Sequence, residues 1–252
     1  MSRVRFRYSK LGKVRFLSHR DVARVLERAV RRAGLPVAYS QGFSPRARLH
    51  FGLALSTGFE SHAEYVDVDL LDADLHDEDG DGLAVPAWEL DELPGRMSAC
   101  TPEGIEVQAA VLIPPGTPSL QDAVTWCTWR FDVPGVAPGS LAAAVERLGS
   151  MESIPVDLVR KGKQVREDLR PLLGELVAER TADGARVVAD LGTKPRSIRP
   201  AEFYAALDSP EPLPDVTDVR VLRLHQWINV DGARCEPVSL GAPSPHAQER
   251  AS

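Results

Sequence analysis

The 252-residue chain has only three cysteines and no long apolar run. No stretch approaches the roughly 18 consecutive apolar residues of a membrane-spanning helix, and the first residues lack the apolar core of a signal peptide. Cys100, Cys127 and Cys235 stand far apart without metal-ligand spacing, a usage typical of a reducing compartment. Motifs for binding phosphate, dinucleotide, zinc or an iron–sulfur cluster are missing. We therefore expect a cytoplasmic protein, with no metal and no cofactor in this chain.

Acidic residues are scarce at the start of the chain. Residues 1–50 hold thirteen Lys or Arg and two acids, Asp21 and Glu27, a formal balance of +11. Residues 60–106 reverse this, with fifteen Asp or Glu against Arg96 alone, a balance of −14. Such asymmetry indicates a basic face for an anionic partner. The alternative is that the two charged regions pair with each other in the fold.

The clearest helix follows Ser18, which can cap its first turn together with Asp21. Apolar residues then recur at helical spacing and predict one core-facing stripe: Val22, Val25, Leu26, Ala29, Val30 and Ala33. Gly34 and Pro36 end the helix. Five arginines lie off the stripe and are expected to face outward: Arg20, Arg24, Arg28, Arg31 and Arg32.

The order of the other elements predicts the fold. In residues 1–113 we expect strands at 3–8, 14–17, 37–40, 49–55, 63–70 and 104–113, a turn at 41–45 and a second helix at 90–99. In residues 125–230 we expect strands at 126–133, 154–160, 169–179, 185–190 and 219–228, helices at 140–148 and 200–207, and a basic connection at 160–166. Both halves follow the split βαβ pattern, so we predict an α+β protein of two tandem ferredoxin-like domains. Residues 114–124 form the predicted linker, and residues 231–252 a predicted disordered tail.

One block suits recognition of single-stranded nucleic acid. Tyr39 and Phe43 flank a glycine turn, with Arg46 and Arg48 just beyond it. Aromatic rings can stack on bases while arginines neutralise phosphates, although both rings can equally belong to the core. A second basic region precedes a predicted helix N-terminus, which is a natural phosphate site. The predicted RNA-binding residues are Arg20, Arg24, Arg28, Arg31, Tyr39, Phe43, Arg46, Arg48, Lys161, Lys163, Arg166, Lys194, Arg196 and Arg199.

His19, in the first turn of the basic helix, is the one candidate catalytic residue. A neutral imidazole there can act as a general base on a ribose 2′-hydroxyl. The alternative is a structural histidine that orients the start of the helix.

Several stretches resemble one family. They are Phe16-Leu17-Ser18-His19-Arg20-Asp21, Leu26-Glu27-Arg28-Ala29, Tyr39-Ser40-Gln41-Gly42-Phe43-Ser44-Pro45, Ala54-Leu55, Gly58, Glu60-Ser61 and Glu64-Tyr65. Over about residues 1–230 the chain resembles the radical SAM-linked protein family of uncharacterised function, whose members stand alone or are joined to a cobalamin-binding radical SAM protein. Family members often carry Pro-His-Pro where this chain has Pro45-Arg46-Ala47.

A looser similarity is to the tandem ferredoxin-like endoribonucleases that process CRISPR repeats. Some of them have a histidine near the first helix, where His19 lies, but their glycine-rich loop near the C-terminus is missing here. The first resemblance implies a partner radical SAM enzyme on a separate chain. We therefore expect an RNA-binding accessory protein that presents tRNA or rRNA to that enzyme. The alternatives are a metal-independent endoribonuclease that uses His19 and a protein–protein adaptor without RNA contact.

Overall fold

The structure is a computed structural model that describes residues 2–71, 87–160 and 162–241. The chain divides into two compact units, one formed within residues 1–123 and 228–252 and the other by residues 124–227. The helices and strands are β1 (Ser2–Lys10), α1 (His19–Arg32), β2 (Leu49–Phe51), β3 (Glu60–Leu70), α2 (Ala87–Ser98), β4 (Val107–Ile113), α3 (Leu120–Ala123), β5 (Val124–Pro134), α4 (Pro138–Ser150), β6 (Pro155–Arg160), β7 (Lys163–Asp168), β8 (Leu173–Arg180), β9 (Gly184–Gly192), α5 (Pro200–Ala205), β10 (Arg220–Val230) and β11 (Ala233–Cys235). The protein is therefore a mixed α and β protein. Among the described helices, none is long and apolar enough to cross a membrane.

In the first unit, β1 lies between β4 and β3 and is antiparallel to both. β2 pairs antiparallel with the second half of β3, so that Leu49 lies opposite Val68. The two helices pack on one face of this sheet, because the apolar residues of β1 and β3 alternate towards them. The shared core contains Val4, Phe6, Tyr8, Val66, Val68 and Leu70 from the strands and Val22, Val25, Leu26, Ala29, Val30, Leu93 and Met97 from the helices.

The predicted start of α1 is confirmed. Ser18 Oγ accepts a hydrogen bond from the Asp21 N–H at 3.2 Å and donates one to Asp21 Oδ2 at 2.6 Å. This satisfies one N–H of the first turn and places a carboxylate at the positive end of the helix dipole. The hydrogen bond from Ser18 lowers the pKa of Asp21. All of the apolar stripe predicted for α1 is buried.

The second unit has the strand order β10-β5-β9-β8, with β6 and β7 forming a separate hairpin. Leu141, Ala144, Val145 and Leu148 of α4 are buried. The Phe131 ring of β5 packs against two side chains of α5, with centroid distances of 5.2 Å to Phe203 and 5.9 Å to Tyr204. Burial raises the pKa of Tyr204 to about 12, and its hydroxyl donates to the Pro214 carbonyl at 3.1 Å.

The prediction of an extended segment at 14–17 is wrong, because Gly12–Phe16 forms a 3₁₀ helix. The buried Lys10 side chain holds this turn by donating from Nζ to the Arg15 carbonyl at 3.2 Å and to the Leu17 carbonyl at 2.8 Å. Burial lowers the pKa of Lys10, while the charge of Glu64 opposes that effect.

Other sequence predictions need correction at their boundaries. Part of the basic connection predicted at 160–166 belongs to the β6–β7 hairpin, in which Arg160 lies opposite Lys163. The predicted linker contains the helical turn α3, whose Leu120 is buried against Ala63 and Tyr65. The predicted tail starts too early, because β11 pairs with β10 and Pro237–Gly241 forms a 3₁₀ helix. The rest of that tail, and most of the acidic stretch before α2, lie outside the described residues.

The hairpin predicted around residues 37–55 is shorter than expected. Tyr39 and Ala47 form an isolated bridge, and Val37 bridges to Leu70 of β3. Only Leu49–Phe51 of the second predicted strand is extended, and it pairs with β3.

Candidate nucleic-acid interface

The arginines of β1 are engaged in ion pairs. Arg5 lies opposite Asp67 of β3 and forms a bidentate pair, with Nε at 2.7 Å from Oδ1 and Nη2 at 2.9 Å from Oδ2. The two side chains are 0% and 2% exposed, and Arg5 Nη1 also donates to the Pro237 carbonyl at 3.2 Å. Arg3 pairs with Asp69 at 2.7 Å in the same way. Both pairs link β1 to β3; the Arg5 pair is fully buried, whereas the Arg3 side chain is 35% exposed.

Arg7, the third arginine of β1, pairs with Glu236 at 2.7 Å. The alternative interpretation, that the basic region 1–50 and the acidic region 60–106 pair with each other, therefore holds for Arg3 and Arg5, whereas Arg7 pairs with an acid outside that region. The physical reason is the register: Arg3 and Arg5 lie opposite Asp69 and Asp67 of β3, on the sheet face opposite the helices.

The outward arginines of α1 differ from those of β1. Arg20, Arg24, Arg28, Arg31 and Arg32 are all exposed. Arg24 lies 3.3 Å from Asp21 in an exposed pair, and Arg31 Nε donates to the Glu27 carbonyl at 3.2 Å. Within the described part of the chain, Arg20, Arg28 and Arg32 have no carboxylate within ion-pair distance. α1 thus presents unneutralised positive charge to solvent.

Two of these arginines line a groove. Arg28 and Arg32, one helical turn apart, face the turn that follows α2, and the groove between them has a volume of about 370 Å³. Its other lining residues are Val25, Ala99, Cys100, Thr101 and Pro102. Arg32 was not among the predicted RNA-binding residues, although its spacing of four from Arg28 places both on one face of the helix.

The glycine turn that carries Tyr39 and Phe43 is a short loop closed by hydrogen bonds between Ser40 and Arg46. The Ser40 N–H donates to the Arg46 carbonyl at 2.9 Å, and the Arg46 N–H donates to Ser40 Oγ at 3.1 Å. Phe43, at the tip, is fully exposed, and Tyr39 is 44% exposed. Neither ring therefore belongs to the core. Arg46 is also exposed, so an aromatic ring and a guanidinium lie on one small loop.

Arg48 lies at the base of this loop, where Asp69 holds it. Its Nε is 3.1 Å from Asp69 Oδ2, and His50 Nε2 is also 3.1 Å from that oxygen. Burial raises the pKa of Asp69, but hydrogen bonds from Arg3 and His50 and their charges outweigh burial, so the pKa is lowered. The carboxylate therefore stays ionised and fixes the cations around it.

His19 is exposed at the start of α1, with its ring edge-on to the Phe51 ring at a centroid distance of 5.0 Å. In the described ranges no carboxylate lies within ion-pair distance of its ring. Nor do those ranges contain a group of three His, Cys, Asp or Glu side chains that could hold a metal ion. Among the described residues, His19 has no hydrogen-bonding or charged partner of the kind that orients a catalytic base.

The residues of the second unit that were predicted to bind RNA differ in their surroundings. Lys163, Arg166, Lys194 and Arg199 are exposed, whereas Lys161 lies outside the described residues. Arg196 instead bridges Glu167 of β7 and Glu202 of α5, the latter at 2.6 Å.

The predicted phosphate site at the start of α5 is occupied by the protein itself. Glu202 accepts a hydrogen bond from the Arg199 N–H at 3.2 Å, so its carboxylate sits where a bound anion would lie. Arg196 therefore has a structural role, since it holds the β6–β7 hairpin to α5.

Residues 3–200 match a family described as "Uncharacterized protein conserved in bacteria (DUF2344)". The match covers well over half of the chain. The chain belongs to this family. No curated protein matches the chain with significance. The description of DUF2344 states no activity, ligand or partner.

Proposed function

We propose that this DUF2344 protein binds RNA through the outer face of α1 and the 39–48 loop. The observation that carries the proposal is the contrast between two sets of arginines from one basic segment. Those of β1 are neutralised by acids, whereas Arg20, Arg28 and Arg32 have no carboxylate partner in the described part of the chain. Clustered like charges on a helix destabilise it, so a partner that neutralises them explains their presence.

The charge of α1 suits a phosphate backbone. The helix carries five arginines against Asp21 and Glu27, and Asp21 is already used in the N-terminal cap. Because a guanidinium offers several N–H donors in a planar fork, each exposed arginine can bind a phosphate through two hydrogen bonds.

The exposed rings favour single-stranded RNA over a general polyanion. An exposed phenylalanine forgoes the roughly 1.5–3 kcal/mol that burial of its side chain contributes to stability. Stacking on an unpaired base contributes about 1–3 kcal/mol to binding for each base. Phe43 at the loop tip is therefore better explained by a ligand than by the fold. Arg46, three residues further along the loop, is exposed, and we propose that it contacts the adjoining phosphate.

The finer part of the proposal concerns the partner. We propose that the bound RNA, a tRNA or rRNA, is presented in the cytoplasm to a radical SAM modification enzyme on a separate chain. The support is the resemblance of the residues around Ser18 and Gly42 to the radical SAM-linked family. A catalytic role for His19 has no comparable support from its surroundings.

We also propose that each unit is a ferredoxin-like domain. The support for the first is the order β4-β1-β3 with β2 beside β3, together with two helices on one face. The support for the second is the order β10-β5-β9-β8, with β6 and β7 inserted as a hairpin. An experimental structure in which β1 and β5 are not central strands would contradict this fold.

The test is crosslinking in cells, followed by sequencing of the RNA bound to the purified protein. The proposal expects one RNA class to be enriched, with crosslinks that map to α1 or to the 39–48 loop. A variant in which Arg20, Arg24, Arg28 and Arg31 are all glutamine should lose that RNA. The matched control is Arg147→Gln combined with Arg180→Gln, which removes exposed arginines of the second unit.

Two outcomes would replace the proposal. A partner enzyme that co-purifies after nuclease treatment, without crosslinked RNA, would favour the protein–protein adaptor. RNA cleavage in EDTA by the wild-type protein but not by His19→Ala would favour the endoribonuclease.

A further inference from the structure

The first unit contains a second basic site, which the sequence did not reveal. A pocket of about 440 Å³ opens between the start of β1, the residue Arg48 and the turn after β4. Its volume lies within the range of about 300–1,000 Å³ typical of small-molecule sites. The lining residues are Ser2, Arg3, Arg48, Asp69, Leu112, Ile113, Pro114, Pro115, Gly116 and Thr117.

Asp69 organises the charged end of this pocket. Its Oδ1 accepts from Arg3 Nε at 2.7 Å, while its Oδ2 lies 3.1 Å from Arg48 Nε. The carboxylate is 5% exposed, whereas the arginines are 35% and 41% exposed. One carboxylate thus fixes two guanidiniums. Arg3, Arg48 and Asp69 together carry a formal charge of +1, without counting His50. Fixing them in advance lowers the entropy lost when a ligand binds.

Arg3 has donors to offer a ligand. Asp69 engages its Nε, and the described residues show no hydrogen bond from its terminal nitrogens. Those nitrogens form the edge of the guanidinium that binds phosphate oxygens in pairs. Ser2, the preceding residue, also lines the pocket.

The lining of the pocket also contains an apolar segment. Ile113 is buried at the end of β4, and the next two residues are Pro114 and Pro115. The Thr117 N–H and hydroxyl both donate to the Pro114 carbonyl, at 3.2 Å and 2.7 Å, which closes a turn that needs the positive φ of 82° at Gly116. A pocket lined by two guanidiniums and by apolar residues suits a ligand with a phosphate group and a flat ring.

We propose that this pocket binds a nucleotide through its 5′-phosphate, with the phosphate on Arg3 and Arg48 and the base against Pro114 and Pro115. The same chemistry is present in a free nucleotide and in the 5′-phosphorylated end of an RNA. The pocket shares Arg48 with the 39–48 loop of the proposed RNA-binding surface. Arg3 and the proline turn belong to neither α1 nor that loop, so variants of Arg3 and Pro115 test the pocket separately from RNA binding by α1.

The test is isothermal titration of the full chain with adenosine 5′-monophosphate and with adenosine. The nucleotide should bind at least tenfold more tightly than the nucleoside. Arg3→Lys keeps the charge but removes the planar fork, and it should weaken nucleotide binding about tenfold or more. Arg130→Lys is the matched control, since Arg130 is likewise held by one carboxylate, Asp132, and it should leave binding unchanged.

A second variant covers the case in which Arg3→Lys destabilises the protein. Pro115 is exposed, so Pro115→Glu adds a negative charge at the pocket without disturbing the core, and it should also weaken nucleotide binding. Equal binding of nucleotide and nucleoside, no binding of either, or nucleotide binding unaffected by both variants would overturn the proposal.

The source of the ligand is resolved with two RNA oligonucleotides that differ only in a 5′-phosphate or 5′-hydroxyl. Tighter binding of the phosphorylated RNA, reversed by adenosine 5′-monophosphate, would identify an RNA end. Nucleotide binding without any effect of the 5′-phosphate would identify a free nucleotide. If the 5′-hydroxyl RNA binds normally and the nucleotide does not, the pocket proposal fails while RNA binding by α1 stands.

Discussion

Replacing Asp67 by asparagine removes the charge that neutralises Arg5 inside the first unit. The wild-type pair consists of two charged hydrogen bonds, at 2.7 Å and 2.9 Å, between side chains that are 0% and 2% exposed. The amide keeps the size of the carboxylate, but its NH₂ group faces a guanidinium donor. Removing one partner of a buried ion pair lowers the free energy of unfolding by about 3–5 kcal/mol, because the other charge stays buried without compensation.

The assay is urea unfolding of the wild type and of Asp67→Asn, monitored by far-UV circular dichroism. We expect the free energy of unfolding to fall by about 3–5 kcal/mol. Arg24→Gln is the control, because it breaks an exposed pair with Asp21 and should cost no more than about 1 kcal/mol. If Asp67→Asn does not fold, the double variant Arg5→Met with Asp67→Leu should restore folding, since apolar groups of similar size can replace a buried pair. A loss for Asp67→Asn as small as that of Arg24→Gln would refute the reasoning.

Three further predictions concern single side chains. Ser18→Ala should lower the free energy of unfolding by about 0.5–2 kcal/mol in urea, because the first turn of α1 loses its cap. Phe43→Ala should weaken binding of single-stranded RNA by about 1–3 kcal/mol in fluorescence anisotropy; its melting temperature should not change, because Phe43 is fully exposed. The lowered pKa of Asp69 means that its carboxylate stabilises the fold above its unfolded pKa, about 3.9, and loses this effect as the pH falls through the folded value. The difference in unfolding free energy between wild type and Asp69→Asn should therefore be largest near neutral pH and should shrink below about pH 4; a difference that grows on acidification would contradict it.

The sequence predicts α1 well because several local signals agree there. The cap at Ser18, the apolar spacing and Gly34 all specify the same fourteen-residue helix, and each acts within a few residues along the chain. The antiparallel strands β8 and β9 were also predicted, since a glycine turn separates two alternating segments.

The sequence missed features that depend on distant partners. The sequence near β1 does not show that its arginines are neutralised, because the aspartates opposite Arg3 and Arg5 lie on β3, more than sixty residues later. The one signal is that residues 3, 5 and 7 and residues 67 and 69 repeat with the same period of two. β7 has no buried residue, so its sequence carries no apolar alternation to mark it as a strand. The segment after 231 has the composition of a tail, yet Pro237 is buried where its carbonyl accepts from Arg5.

The candidate interface was predictable in part. The exposed rings and the arginines of α1 other than Arg32 were predicted as binding residues from composition and spacing. The separation of neutralised from unneutralised arginines required the structure, because it depends on which acids lie within about 4 Å of each guanidinium.

The most direct test of the central claim is the salt dependence of RNA binding. For single-stranded RNA, the logarithm of the association constant falls by about 0.7 per neutralised phosphate for each tenfold rise in salt. The account predicts a steep slope for the wild-type protein. It predicts a slope smaller by up to about 2.8 when Arg20, Arg24, Arg28 and Arg31 are all glutamine, with no change for Arg147→Gln combined with Arg180→Gln. Equal slopes for all three proteins, or no RNA binding at low salt, would contradict it.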